Sequence, residues 1–340
     1  MTAIDMASIK LAARKLEQGK LVAFPTETVY GLGGDAENAA AITDIYTAKG
    51  RPSNHPVIVH IAPEADIAYW AASVPAQARA LIAAFWPGPL TLILKRAAQI
   101  PAAASGGQDS IGVRCPSHPV AQALLREFKG GKGGVAAPSA NKFGHVSPTT
   151  AQHVRDEFSS VNDVLLDYIL DGGQSEVGIE STILDLSRIE THGAVLLRPG
   201  QITVDQIAAV LGAPPNLPDA TAPRASGTLD AHYAPQTPVA QVAAEDLSAV
   251  LNALSQRAIK AALMQRNMRV SSIEHVITMP QDAEHYAHDL YSGLRELDQR
   301  QAKVILVEAL PQTAAWQGIN DRLRRAAFDS TGILSRLLST

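Results

Sequence analysis

A mixed α/β protein of two domains is what this sequence predicts. Three observations carry the prediction. Apolar runs of strand length recur along the chain, interleaved with longer segments of helical spacing. The length of 340 residues exceeds what one hydrophobic core usually holds. Between 213 and 238 the apolar texture breaks, with prolines at Pro214, Pro215, Pro218, Pro223, Pro235 and Pro238.

The elements follow in order. Met6, Ile9, Ala13 and Leu16 share one face of an amphipathic helix that Gly19 ends. Residues 21–24 read as a buried strand closed by Pro25, followed by a polar, glycine-rich stretch over 26–35. Helical spacing returns over 38–49 through Ile42, Ile45 and Tyr46. Strands are expected at 57–61, 90–94, 111–114, 135–137, 165–170, 182–186 and 195–197, and helices at 77–85, 120–128, 149–158 and 204–211. Several strands follow one another with no helix between, so a purely parallel sheet is not expected. A first domain is placed at 1–212, and 213–238 reads as an extended, proline-rich linker. His232 and Tyr233 are an unusual aromatic pair for a linker. A second domain fills 239–340, with strands at 239–242, 261–264, 276–278 and 304–307 and helices at 247–254, 283–300 and 316–328. That alternation predicts a smaller, parallel, Rossmann-like α/β domain.

Composition narrows the function. Hydrophobic residues are 46% and charged residues 18%, so the chain is expected to be globular. The net charge of −4 excludes a generally basic coat for nucleic acid, though not a local cationic pocket. A single cysteine, Cys115, excludes a disulfide scaffold and a cysteine-based zinc cluster. No apolar run reaches membrane-spanning length and the first residues do not read as a signal peptide, so a cytoplasmic protein without membrane contact is expected.

Several motifs are absent or misleading. The GGKGG run at 130–134 lacks the spacing of a phosphate loop, and no G-x-S-x-G elbow occurs. Residues 31–36 match G-x-G-x-x-A, but the preceding strand ends too early and Lys49 and Arg51 stand where an acid belongs. His285 and His288 have no third ligand, so no metal site is assigned.

What stands out is a series of polar clusters at strand and helix ends, where α/β sheets commonly bind ligands. They contain Thr28, Lys49, Arg51, His60, Ser110, Arg114, Ser139, Asn141, Ser147, Ser181 and Arg198. Taken singly, each fits a cap or a turn: Lys49 and Arg51 suit a helix C-terminus, and Ser147 or Thr149 could cap the next helix. Recurrence of four cations and several hydroxyls at one kind of position weakens that reading.

These clusters together resemble the YrdC-like family, in its long two-domain threonylcarbamoyl-AMP synthase form. The resemblance rests on PTETVYGLG at 25–33, KGRP at 49–52, VIVHI at 57–61, WPGPLTLIL at 86–94, IGVRCP at 111–116, APSANKFGHVSPT at 137–149, ESTILDL at 180–186 and LLRPG at 196–200. The second domain is recognised by position and by HYAP at 232–235.

The resemblance implies an N-terminal YrdC-like mixed twisted sheet with helices. It also implies an L-threonylcarbamoyladenylate synthase, a nucleotidyltransferase that uses L-threonine, bicarbonate and ATP with Mg²⁺ and releases pyrophosphate. The product would pass to a tRNA threonylcarbamoyl transferase complex, and a weak contact with tRNA is allowed. Carried onto matching positions, Thr28, His60, Arg114, Ala137 and Ser181 are threonine-site residues. Arg51, His55, Ser110, Ser139, Asn141, Ser147, Arg198 and Tyr233 are ATP-site residues, and Lys49, Arg51, Arg114 and Arg198 form the catalytic cation set. Through Tyr233 the proline-rich linker at 213–238 is expected to contribute to the active site. The chemistry needs no protein nucleophile, only positioning and preorganised charge. Two departures are visible: His55 stands where the family often carries Asn, and the linker at 224–232 lacks the usual Ser-Pro-Gly followed by basic residues. The alternative is an RNA-binding regulatory module without catalysis, against which stand the acidic balance and the lack of stacking aromatics beside the cations.

Overall fold

In the run LTLIL, Leu90, Leu92 and Leu94 alternate with Thr91 and Ile93, and that period of two decides which face of the larger sheet is core. The computed structural model describes residues 5–160, 163–267 and 273–339. It divides into two compact units, one of 1–143 with 148–228 and the other of 144–147 with 229–340.

The first unit contains β1 (Leu21–Phe24), β2 (Gly31–Asp35), β3 (Ile58–Ile61), β4 (Leu90–Lys95), β5 (Ser110–Arg114), β6 (Gly134–Ala136), β7 (Leu166–Ile169), β8 (Thr182–Asp185) and β9 (Val195–Arg198). They form one sheet in the order β7-β1-β2-β6-β3-β5-β4-β8-β9. Pairs β1/β7, β3/β5 and β4/β8 are parallel, while β1/β2, β2/β6, β3/β6, β4/β5 and β8/β9 are antiparallel. The mixed sheet is therefore as expected. Its helices are α1 (Met6–Glu17), α2 (Ala39–Lys49), α3 (Ile67–Trp70), α4 (Ala76–Phe85), α5 (Pro119–Glu127), α6 (Ala151–Glu157), α7 (Ile189–His192) and α8 (Val204–Leu211).

The glycine-rich stretch after β1 contains a strand, β2, that the sequence reading does not assign. Glycine is a poor strand former, but here bulk is excluded: a Cβ on Gly33 would lie 2.8 Å from the Phe24 ring and from Val135. The G-x-G-x-x-A match thus serves close packing inside a sheet, not a phosphate turn. A second correction concerns α6, which is capped by Thr150, whose side chain accepts from the His153 N–H; neither Ser147 nor Thr149 caps it.

Leu90, Leu92 and Leu94 pack with Leu184, Leu196, Leu81 of α4 and Ile207 of α8. The opposite face of these central strands carries Ile58, Ile93 and Ile183 as a small apolar floor. The segment 213–238 is not a uniform tether. Asn216 pairs with the backbone of Ala194 and Leu196 beside β9, and Ala225 packs on the isoleucine floor. Gln108 and Arg224 exchange two hydrogen bonds, of 3.1 and 2.7 Å.

The second unit has a four-stranded parallel sheet of β10 (Val239–Val242), β11 (Ala261–Gln265), β12 (Val276–Thr278) and β13 (Val304–Glu308), in the order β10-β13-β11-β12. Helices α9 (Leu247–Gln256), α10 (Ala283–Asp298), α11 (Gln317–Ala326) and α12 (Ser330–Ser339) accompany it. The sequence reading does not assign α12, whose Ile333, Leu334, Leu337 and Leu338 pack on the apolar cluster of α9 and the sheet. Residues 144–147 join this unit through the Ala234 N–H to Gly144 O bond of 2.9 Å and the Arg295 side chain on Val146 O.

Candidate active site

The register of the first unit's sheet lines up its polar residues. His60 on β3 lies opposite Arg114 on β5. Gly112, two residues before Arg114, lies opposite Ile93, and Thr91 lies opposite Ile183, which lies opposite Arg198 on β9. With side chains alternating along each strand, His60, Arg114, Thr91 and Arg198 share the face that carries the isoleucine floor. The leucines of the same strands fill the other face, so hydrophobic patterning turns the polar row toward one side.

Arg114 is buried and held from three directions. Its Nε donates to Gly88 O at 3.3 Å, its Nη1 donates to Thr28 Oγ1 at 2.8 Å, and its Nη2 lies 2.6 Å from Glu27 Oε1. Thr28 and Glu27 come from the tight connection after β1. Thr26 Oγ1 accepts from the Thr28 and Val29 N–H groups and donates to Val29 O, which fixes that turn. His60 is buried beside Arg114; burial first, then the Arg114 charge, pulls its pKa down to about 3. It is a neutral imidazole at physiological pH.

A second group centres on Arg198. Its Nε donates to Ser181 O at 3.0 Å, its Nη2 to Ser181 Oγ at 3.1 Å and its Nη1 to Ser226 O at 2.8 Å. Ser181 Oγ also lies 2.8 Å from Thr91 Oγ1. Arg51 donates from Nη2 to Pro56 O at 2.8 Å and to Ser226 Oγ at 3.4 Å. One linker residue, Ser226, therefore touches both cations.

The third group is Lys49, at the end of α2. Its ammonium donates to the carbonyls of Ser139, at 2.5 Å, and Asn141. Gly50 takes the left-handed conformation that ends α2 and lets the chain turn away. Burial first, and then the charge of Arg51, hold the Lys49 pKa well below the ordinary lysine range.

The other residues have their own surroundings. Ser110 is buried at the start of β5. The Ala137 N–H donates to Ile58 O at 2.9 Å. His55 packs edge-on against Phe143, and burial first, then Arg51, lowers its pKa. Ser147 and Tyr233 belong to the second unit. Tyr233 is buried there with φ of 61°, its ring 5.9 Å from Tyr291 and under the Arg322 guanidinium.

Glu27, Thr91 and Ser226 are contacts that sequence reasoning misses. Thr91 had a usable signal, as the one polar residue inside LTLIL. Cys115 is buried, and burial pushes its thiol up to about 12, which suits a packing residue.

Residues 14–200 match the Sua5, YciO and YrdC family, described as Telomere recombination. Residues 202–328 match the family described as Threonylcarbamoyl-AMP synthase, C-terminal domain. Over 336 residues the chain is 34% identical to the threonylcarbamoyl-AMP synthase of Pyrococcus abyssi, covering 95% of each. This chain belongs to the threonylcarbamoyl-AMP synthase family. The Bacillus subtilis member is 38% identical over 330 residues, which cover 94% of this chain and 92% of that protein. The crystal structure of Pyrococcus abyssi Sua5 complexed with L-threonine superposes with a TM-score of 0.86 at 32% identity, covering 96% of each chain. Both units of this chain thus fall within the family match. Among the described residues no helix is long and apolar enough to cross a membrane.

Proposed function

We propose that this protein joins L-threonine, bicarbonate and ATP into threonylcarbamoyl-AMP and pyrophosphate. The observation that carries the reading is the row of Arg114 and Arg198 on one sheet face, each anchored by a hydroxyl, Thr28 or Ser181. Threonine's amine and bicarbonate condense to a carbamate with loss of water. A carbamate oxygen then attacks the α-phosphorus, and the bond to the bridging oxygen of pyrophosphate breaks.

Every participant is an anion or becomes one, so fixed cations supply most of what the reaction needs. In this reading Arg114 takes the threonine carboxylate with its planar fork, a geometry Lys cannot copy. Thr28, His60, Ala137 and Ser181 complete the amino-acid subsite. Neutral His60 can accept or donate one hydrogen bond without repelling a cationic amine. Arg51 and Arg198 face the phosphates. Lys49 acts by holding the Ser139–Asn141 backbone in place. Ser110, Ser139, Asn141 and His55 belong to the nucleotide side.

Magnesium is expected to arrive chelated by the triphosphate, since this face offers hydroxyls and cations and few carboxylates. Use of the adenylate for tRNA modification, by a separate threonylcarbamoyl transferase complex in the cytoplasm, completes the proposal. The adenylate is a reactive mixed anhydride, and a nearby acceptor limits its hydrolysis.

The test is pyrophosphate release by purified protein with MgATP. Release that requires both threonine and bicarbonate is the expected outcome. Release indifferent to either one, or none at all, would overturn the reading.

A further inference from the structure

Arg114 is the centre of the amino-acid subsite, yet its own attitude is decided by a residue to which no role has so far been given. We propose that Glu27 is the positioning residue for Arg114. Its buried carboxylate fixes the orientation in which the guanidinium meets the threonine carboxylate. This inference rests on the reading of Arg114 as the carboxylate-binding group.

The geometry is specific. Side-chain exposure is 4% for Arg114 and 2% for Glu27, and the Nη2 to Oε1 contact is 2.6 Å. Both Glu27 oxygens are shut off from solvent, and among the described residues neither accepts a well-aligned hydrogen bond. The contact with Arg114 is therefore ionic, and it is the compensation this carboxylate has. Burying a carboxylate is costly unless a cation answers it. Arg114 has the same need, since a guanidinium at this depth without a counter-ion would turn away or draw in water.

Adjacent residues grip the two terminal nitrogens, Thr28 on Nη1 and Glu27 on Nη2. The Thr26 hydroxyl locks the turn that carries both, and the Val177 N–H donates to Glu27 O at 2.7 Å. The Gly88 carbonyl holds Nε. A planar group held at three nitrogens cannot rotate, and a fork that cannot rotate needs no reorganisation when its ligand arrives. A guanidinium carries five N–H donors, so one contact at each terminal nitrogen does not exhaust them, although Nη2 is itself shut off from solvent.

The experiment compares Glu27→Gln and Glu27→Asp with the unaltered protein, using steady-state kinetics for both substrates and calorimetric threonine Kd. Glu27→Gln keeps the shape and removes the charge. Its threonine KM and Kd should rise at least tenfold while the ATP KM stays within twofold. Glu27→Asp keeps the charge and withdraws it. If the Gln variant does not fold, the Asp variant should still show raised threonine KM with ATP KM unchanged. A folded variant of either kind with threonine KM within twofold of the unaltered protein would overturn the proposal. Equal rises in threonine and ATP KM would overturn it too, because a merely structural ion pair would disturb both. If the unaltered protein does not bind threonine, the reading of Arg114 fails first, and that failure is distinguishable because it precedes any comparison of variants.

Discussion

Arg198 donates from Nη2 to the Oγ of Ser181 across 3.1 Å, and from Nε to the same residue's carbonyl across 3.0 Å. One residue assigned to the nucleotide is thereby bonded twice to one assigned to the amino acid. On the proposed reading, the two subsites share a structural joint.

That joint predicts coupling. Arg198→Lys keeps the charge but cannot make both bonds at once. It should lower kcat/KM for ATP by roughly tenfold to a hundredfold, about 1.4–2.8 kcal/mol. Ser181→Ala should lower kcat/KM for threonine. In the double variant the losses should fall short of additive by about 1 kcal/mol, because each single change already breaks the Nη2–Oγ bond, while the Ser181 carbonyl is kept in Ser181→Ala. Strict additivity in initial-rate measurements would show that the bonds do not connect the subsites.

His60 predicts a pH signature. Its folded pKa of about 3 lies below the ordinary 6.5. Between those values the unfolded chain binds a proton that the folded chain refuses, so stability is complete above 6.5 and falls as pH drops toward 3. At pH 5 the loss from this residue is about 2 kcal/mol. His118 is lowered as well and adds in the same direction, so the comparison must be with a variant. His60→Gln should shrink the difference in urea unfolding free energy between pH 8 and pH 5 by about that amount. An unchanged difference would remove His60 as the source.

Cys115 predicts silence. With its thiol pushed up to about 12 by burial first and the Glu27 charge next, it should resist iodoacetamide at pH 8 in the folded protein and react once unfolded. Cys115→Ala should keep activity within about twofold, the loss being one of packing. Rapid native alkylation, followed by mass spectrometry, would contradict the buried placement.

Much of this was legible in the chain, for physical reasons. Alternating or continuous apolar runs mark β3, β4, β5, β8 and β9, because a strand's period survives whatever it pairs with. The polar clusters at their ends carried the resemblance, and two of the cations in them, Arg114 and Arg198, share one sheet face. β2 was hidden, since glycines chosen for close approach to Phe24 and Val135 erase the usual strand signal. α12 was hidden by ending the chain with little punctuation. Glu27 was hidden for another reason: a carboxylate beside hydroxyls reads as a turn residue until the fold brings Arg114 against it. The resemblance implied that the proline-rich linker contributes to the site, but Ser226 carried no signal of its own until its contacts with Arg51 and Arg198 were seen.

The cross-strand row has a consequence for length. From Arg114 on β5 to Arg198 on β9 the sheet steps through β4 and β8, three intervals of about 4.8 Å, or roughly 14 Å in all. A hydrogen-bonded ladder neither stretches nor compresses, so the sheet works as a ruler whose graduations are strands. Side-chain substitutions can alter which chemical groups are read at each mark. They cannot move the marks, and on the proposed reading a substrate much longer or shorter than this span would call for a different number of strands between the two arginines.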